Sequence, residues 1–121
     1  MRKSLIVAAL LLASPVLAGE KPSYILKGTQ VLFNECGHAK DMLKDIYKIH
    51  FVGNTPVVNY TEWQLEYQSD TSFLIEYKAA PDAYTQLDLV YFKDINMGYL
   101  TLTETTEYRD VCFDRIQLIE K

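Results

Sequence analysis

The hydrophobic and polar positions change their period along the chain. Between Thr29 and His50 the apolar residues recur at steps of three and four, with charged residues between them, which is the spacing of one helix face. This stripe consists of Leu32, Cys36, Ala39, Leu43, Ile46 and His50. It predicts an amphipathic helix that ends at Gly53 and Asn54, with His50 packed on its apolar side.

Beyond Thr55 the apolar and polar residues alternate with a period of two, which is typical of strands that bury one face. Turn-forming residues divide this region into five predicted strands, at residues 57–67, 73–78, 84–92, 99–105 and 109–119. We therefore expect an α+β fold in which one amphipathic helix packs on an antiparallel meander of about five strands. In the last strand Asp114 shares the inward face with Cys112, Ile116 and Leu118, which predicts a bulge or a charge at the rim of the core.

The N-terminus has a different pattern. Arg2 and Lys3 precede an apolar run over residues 5–13, and Ala18 ends a short segment with small side chains, which is typical of a cleaved secretory signal peptide. We predict a signal peptide over residues 1–18 and a single binding domain over residues 19–121, located in the periplasm with no membrane anchor.

The excess of acidic over basic residues disfavours nucleic acid as a binding partner. The chain has 12 basic and 16 acidic residues, a formal net charge of −4, and cleavage after Ala18 would remove two of the basic ones. Nucleic acid is therefore an unfavourable partner, because phosphate backbones are bound by Lys and Arg.

Cys36 and Cys112 are the two cysteines of the chain. An oxidising compartment favours a disulfide between them. Two alternatives stay open at this point: a reactive thiol beside His38, and a bridge between two copies of the chain.

Motifs for catalysis are weak. His38 and His50 are twelve positions apart, which is not a zinc-binding spacing, and the sequence has no nucleophile elbow or phosphate loop. A carboxylate pair for glycoside hydrolysis, chosen among Glu62, Glu66, Glu76 and Asp88, would lie on the outward sheet face, where such groups are usually solvated. We expect no enzyme activity, no catalytic residue, no metal and no cofactor.

A binding surface is the stronger prediction. Aromatic residues alternate with carboxylates and amides on the outward face, an arrangement that suits an interface with a basic protein. The predicted contact residues are Tyr60, Glu62, Gln64, Glu66, Glu76, Asp88 and Tyr99. The turn that contains Asn96 and Met97 is a second candidate, because it places an apolar side chain among polar ones.

Taken together, the leader at residues 1–18, the pair Cys36 and Cys112, and the acidic set Glu62, Glu66, Glu76 and Asp88 resemble the periplasmic immunity proteins of type VI secretion systems. The resemblance implies a protein that binds a secreted peptidoglycan hydrolase effector, or a lysozyme-like enzyme, and occludes its substrate cleft. It also implies a possible homodimer. The alternative is a cystatin-like or NTF2-like domain in which the helix and a curved sheet enclose a pocket for a small ligand.

Overall fold

The computed structural model describes residues 21–80, 84–107 and 110–121. The predicted signal peptide lies outside these ranges, and so do Pro81 and Asp82, which belong to the turn expected between the strands at residues 73–78 and 84–92. Among the described residues no helix is long and apolar enough to cross a membrane. The elements are β1 (Tyr24–Asn34), α1 (Ala39–Lys44), β2 (Ile46–Val52), β3 (Thr55–Val58), β4 (Thr61–Glu62), β5 (Gln64–Gln68), β6 (Ser72–Lys78), β7 (Thr85–Phe92), β8 (Met97–Thr105) and β9 (Asp110–Glu120).

The strands form a nearly closed barrel. Their spatial order is β4-β3-β2-β1-β9-β8-β7-β6-β5, and the pairs are antiparallel, so that the last strand returns to the first. The two ends of this order, β4 and β5, follow each other in the chain on either side of Trp63, and we call this place the seam. The Trp63 N–H donates to the Pro56 carbonyl of β3 at 3.1 Å. A sheet that curls back on itself in this way leaves little exposed strand edge.

The prediction of an α+β fold is therefore wrong, because most of the expected helix is strand. Only six residues, Ala39–Lys44, are helical, while the two ends of the stripe belong to β1 and β2. Leu32, Ile46 and His50, which the helix would have buried, are exposed. The stripe thus runs through three different elements, and two irregularities in the pairing of β1 with β9, between Gly28 and Phe33, shift the alternation of β1 where the stripe begins.

The strand predicted over residues 57–67 is also interrupted. Asn59 and Tyr60 have positive φ angles of 48° and 72°, and they turn the chain between β3 and β4. The Asn59 side chain accepts from the Lys48 N–H at 2.8 Å and donates to the Ile46 carbonyl at 2.9 Å, which ties this turn to β2. Asparagine tolerates the left-handed region better than most residues do. The four later strands were predicted correctly to within a few residues.

The inward side chains fill the lumen of the barrel. Tyr24, Phe73 and Tyr91 form an aromatic cluster with ring centroids 5.2–5.5 Å apart. Burial, followed by a hydrogen bond to Glu120, raises the pKa of Tyr91. The fully buried aliphatic residues around this cluster are Leu26, Ile49, Ile75, Leu89, Leu100, Ile116 and Leu118. The core therefore lies inside the barrel rather than between a helix and a sheet.

One end of the barrel is covered by a segment that we call the cap, residues 35–44, which contains α1. Ala39 and Met42 are buried, and a Cβ on Gly28 would lie 3.0 Å from the Leu43 Cα, so the helix lies directly on β1. A disulfide between Cys36 and Cys112 joins the cap to β9, as predicted. The disulfide is intramolecular, so neither alternative that the sequence left open applies to this structure.

Beneath the cap lies Asp114, with 0% of its surface exposed. Its two carboxylate oxygens accept the backbone N–H groups of Cys36 at 2.7 Å and His38 at 2.8 Å. Asp114 thus shares the inward face with Ile116 and Leu118, as predicted. The register shifts in the pairings of β9 lie at other positions, and the cap covers the carboxylate, so it is a buried acceptor and not a charge at an open rim. Buried carboxylates persist when such donors surround them.

Candidate binding face

The outer surface of β5–β9 holds an open depression of about 790 Å³. Its lining includes four carboxylates, those of Glu35, Glu66, Glu76 and Asp88. Among the described residues that line it, only Arg115 carries a positive charge. We call this surface the acidic face. Its excess of carboxylates gives it a negative potential, which attracts cationic groups.

The strand register sets the layout of this face. Gln64 lies opposite Glu76, Glu76 opposite Asp88, Asp88 opposite Thr101, and Thr101 opposite Arg115. Directly opposed side chains on an antiparallel pair stand about 5 Å apart at Cβ. These five side chains therefore form one continuous polar row across five strands.

The two carboxylates in the middle of this row, Glu76 and Asp88, share one donor. The Gln86 amide nitrogen lies 2.8 Å from a Glu76 oxygen and 3.0 and 3.2 Å from the two Asp88 oxygens. Lys78 reaches Glu76 only at 4.0 Å, and the Glu76 side chain is 17% exposed. Like charges that face each other across two strands are destabilising. Another cation between them would relieve this repulsion.

An apolar rim adjoins the row. The rings of Phe33 and Phe113 have centroids 4.9 Å apart, and the Arg115 guanidinium lies 5.7 Å from each centroid. The Arg115 Nε donates to the Thr101 hydroxyl at 3.0 Å, which fixes this side chain over the rings. Phe33 is 45% exposed and Val111 58% exposed. We call Phe33, Phe113 and Val111 the aromatic rim, and it offers a partner exposed apolar area beside the carboxylates.

The cap contributes Glu35 to this surface. The Glu35 backbone N–H donates to the Phe113 carbonyl at 3.2 Å, and the Phe113 N–H donates to the Glu35 carboxylate at 3.1 Å. These two bonds hold Glu35 against β9. The cap therefore places a fourth carboxylate at one end of the acidic face.

The predicted contact residues fall on several surfaces. Glu66, Glu76 and Asp88 share the acidic face, whereas Glu62 and Gln64 line a second depression at the seam, of about 610 Å³, which also reaches Glu76. The remaining four residues lie away from both depressions. Tyr60 is 99% exposed on its turn, and Asn96 and Met97 lie at the β7–β8 hairpin. Tyr99 packs near Phe92, with ring centroids 6.5 Å apart.

Sequence reasoning missed several members of the acidic face. Thr101 and Arg115 sit at outward positions of strands that were predicted correctly, so the same alternation would have placed them here. Phe33 and Glu35 lie in the stretch that was assigned to a helix, where no pattern related them to β9. Their location depends on the pairing of β1 with β9.

A second polar cluster lies at the cap end of the barrel. The His38 Nε2 is 3.4 Å from a Glu104 carboxylate oxygen, and both side chains are partly exposed. One carboxylate oxygen of Glu104 and the sulfur atoms of Cys36 and Cys112 all lie within 4.8 Å of one another. The residues of this cluster are distant in sequence and meet through the cap and the β8–β9 pairing.

No protein-family model, curated protein or solved structure matches this chain.

Proposed function

We propose that this chain is a periplasmic inhibitor of the immunity-protein type, which binds a basic peptidoglycan hydrolase and blocks access to its substrate cleft. The observation that carries the proposal is the acidic face with its aromatic rim. Interfaces typically combine exposed aromatic anchors with polar groups that a partner completes. Here the opposed carboxylates of Glu76 and Asp88 share the Gln86 amide as a donor, and a cationic side chain of a partner could bind between them. Phe33 supplies exposed apolar area on the same surface.

Electrostatics supports a basic partner. The acidic face carries four carboxylates and one fixed guanidinium, and the whole chain has a formal net charge of −4. Such a field raises the association rate with a cationic protein, and salt lowers that rate. A lysine or arginine placed between Glu76 and Asp88 would replace their mutual repulsion with two attractive contacts.

The alternative function, binding of a small ligand by a cystatin-like or NTF2-like domain, required an architecture that the structure does not have. It needed a helix and a curved sheet around a pocket, but α1 has six residues and the lumen is filled by side chains such as Phe73 and Tyr91. Both depressions on the described surface are open to solvent. We therefore do not propose this function.

The test pairs the mature, oxidised protein with a basic lysozyme and with secreted peptidoglycan hydrolases. We would measure one-to-one binding and the clearing of a peptidoglycan suspension. The proposal expects tight binding to at least one hydrolase, abolished clearing, and an association rate that falls as salt rises. Absence of binding to every basic hydrolase tested, with clearing unaffected, would refute it.

A pair of variants locates the face. The double substitution Glu76→Gln and Asp88→Asn removes two charges from the acidic face with little change in shape. Asp41→Asn with Asp70→Asn removes two charges from exposed positions elsewhere. We expect the first variant to bind roughly tenfold more weakly or worse, equivalent to about 1.4 kcal/mol, and the second to bind nearly as the parent does. Equal effects of the two would assign binding to another surface, such as the hairpin at Asn96 and Met97.

A further inference from the structure

The disulfide of this protein lies within a set of groups that are typical metal ligands. Glu104 stands opposite Cys112 in the β8–β9 register, and the cap brings Cys36 and His38 to the same place. Thiolate, imidazole and carboxylate groups are the ligand types that hold Zn²⁺ in tetrahedral protein sites. The proposed hydrolase binding rests on the carboxylates and the aromatic rim; this cluster adjoins that surface, because Cys112 also lines the depression of the acidic face.

Hydrogen bonds hold these groups together independently of the S–S bond. The Asp114 carboxylate accepts the N–H groups of Cys36 and His38, and the Asn34 side chain accepts the Ala39 N–H at 3.2 Å. Glu35 exchanges two further bonds with Phe113. The cap therefore retains an anchor on β9 when the disulfide is broken.

We propose that the reduced protein binds one Zn²⁺ through Cys36, Cys112, His38 and Glu104. Bond lengths of about 2.0–2.3 Å to Zn²⁺ place neighbouring tetrahedral ligands roughly 3–4 Å apart. The sulfur atoms and the Glu104 oxygen already lie within 4.8 Å of one another, and the His38 nitrogen lies 3.4 Å from Glu104. To enclose the ion, the two sulfur atoms must move apart from bonding distance after reduction, and the His38 ring, which is near Glu104 but outside the 4.8 Å group, must turn toward them. His38 and Glu104 are partly exposed, so the ion has a route from solvent.

Opening the disulfide requires a two-electron reductant, for example a dithiol. The dithiol is oxidised to its own disulfide, while the Cys36–Cys112 bond breaks and gains two electrons and two protons to give two thiols. Zn²⁺ then displaces both thiol protons to solvent as two Zn–S bonds form, and neutral His38 and the Glu104 carboxylate complete the site. Metal and disulfide would be alternative links between the cap and β9.

The experiment starts from oxidised protein, so that each variant is shown to be folded before reduction. The samples are then reduced with a phosphine under anaerobic conditions and titrated with Zn²⁺ against a chromophoric chelator, and with Co²⁺ for its visible spectrum. We expect one Zn²⁺ per reduced chain, a thiolate-to-cobalt charge-transfer band with four-coordinate d–d intensity, and no comparable binding to the oxidised form.

Variants separate the folded site from simple thiol binding. His38→Ala and Glu104→Gln should each weaken Zn²⁺ binding roughly tenfold or more, whereas the controls His50→Ala and Glu62→Gln should leave it unchanged. Thiols of an unfolded chain would bind regardless of Glu104. The proposal is overturned if the reduced protein binds Zn²⁺ no more tightly than the Cys36→Ser, Cys112→Ser variant, or if the His38 and Glu104 variants bind as the parent does.

Circular dichroism covers the case in which reduction alone unfolds the chain. Zn²⁺ should then restore the native spectrum of the parent and of the His50→Ala control, and should restore that of Glu104→Gln only at a higher Zn²⁺ concentration. Failure to restore the parent spectrum also counts against the site.

Discussion

The buried carboxylate of Asp114 should be one of the most sensitive positions of the fold. It is fully buried and accepts two backbone N–H groups from the cap, those of Cys36 and His38, at 2.7 and 2.8 Å. The substitution Asp114→Asn keeps the size and shape of the side chain but replaces one acceptor oxygen with an NH₂ group. One of the two backbone donors must then face another donor.

The cost follows from these two contacts. A buried donor that loses its partner costs about 1–3 kcal/mol, and hydrogen bonds to a charged acceptor are worth about 1.5–3 kcal/mol each. Losing one bond and weakening the other therefore lowers the free energy of unfolding by about 2–4 kcal/mol. Domains of this size are stable by only about 5–15 kcal/mol, so the variant should fold but be markedly weakened.

Urea unfolding of the oxidised protein measures this change. Trp63, the only tryptophan, is buried at the seam and packs on Tyr77 with ring centroids 5.6 Å apart, so its fluorescence reports on the barrel. Asp88→Asn is the matched control, because it makes the same chemical change on the outer face of the same sheet. We expect it to leave stability unchanged or raise it slightly, since it removes the repulsion with Glu76.

A loss of stability below about 0.5 kcal/mol from Asp114→Asn, the size of an ordinary surface substitution, would refute this prediction. That result would mean that the carboxylate does not hold the cap. A loss equal to that of Asp88→Asn would lead to the same conclusion.

Three further predictions concern the barrel and its cap. Replacing Cys36 and Cys112 with Ser opens a link between positions 76 residues apart, which should cost about 4 kcal/mol in thermal or urea unfolding; a loss below 1 kcal/mol would show that the cap holds without it. Gly98→Ala places a Cβ against the Val90 carbonyl of the neighbouring strand, so stability should drop by about 1–3 kcal/mol, and an unchanged midpoint would contradict this packing. Burial, then the charge of Asp45, raises the pKa of Tyr47 above its ordinary value of 10.0, so the stability that this hydroxyl contributes should be constant below pH 10 and be lost above it. Tyr47→Phe should reduce the alkaline loss of stability, and an alkaline profile identical to that of the parent would refute the assignment.

Much of the barrel wall could be predicted from local sequence patterns. Alternation and turn residues predicted β6–β9 and the outward placement of Glu76 and Asp88, because a strand that buries one face needs a period of two wherever it pairs. The disulfide was also predictable, since two cysteines allow one intramolecular pairing. Each of these inferences uses information within a few residues, or a count over the whole chain.

The closed barrel and its sites depended on contacts between distant segments. Residues 29–50 have a helical apolar spacing, but the pairing of β1 with β9 and of β2 with β1 and β3 makes the two ends of this stretch strands, with the cap between them. Register placed Glu76 opposite Asp88, and Glu104 opposite Cys112. The cap turned Asp114 from an expected rim charge into a buried acceptor. The local periodicity of a strand determines which face each side chain lies on. Which side chains of other strands lie next to it depends on strand pairing and register, and these are set by contacts between segments that are distant in the sequence.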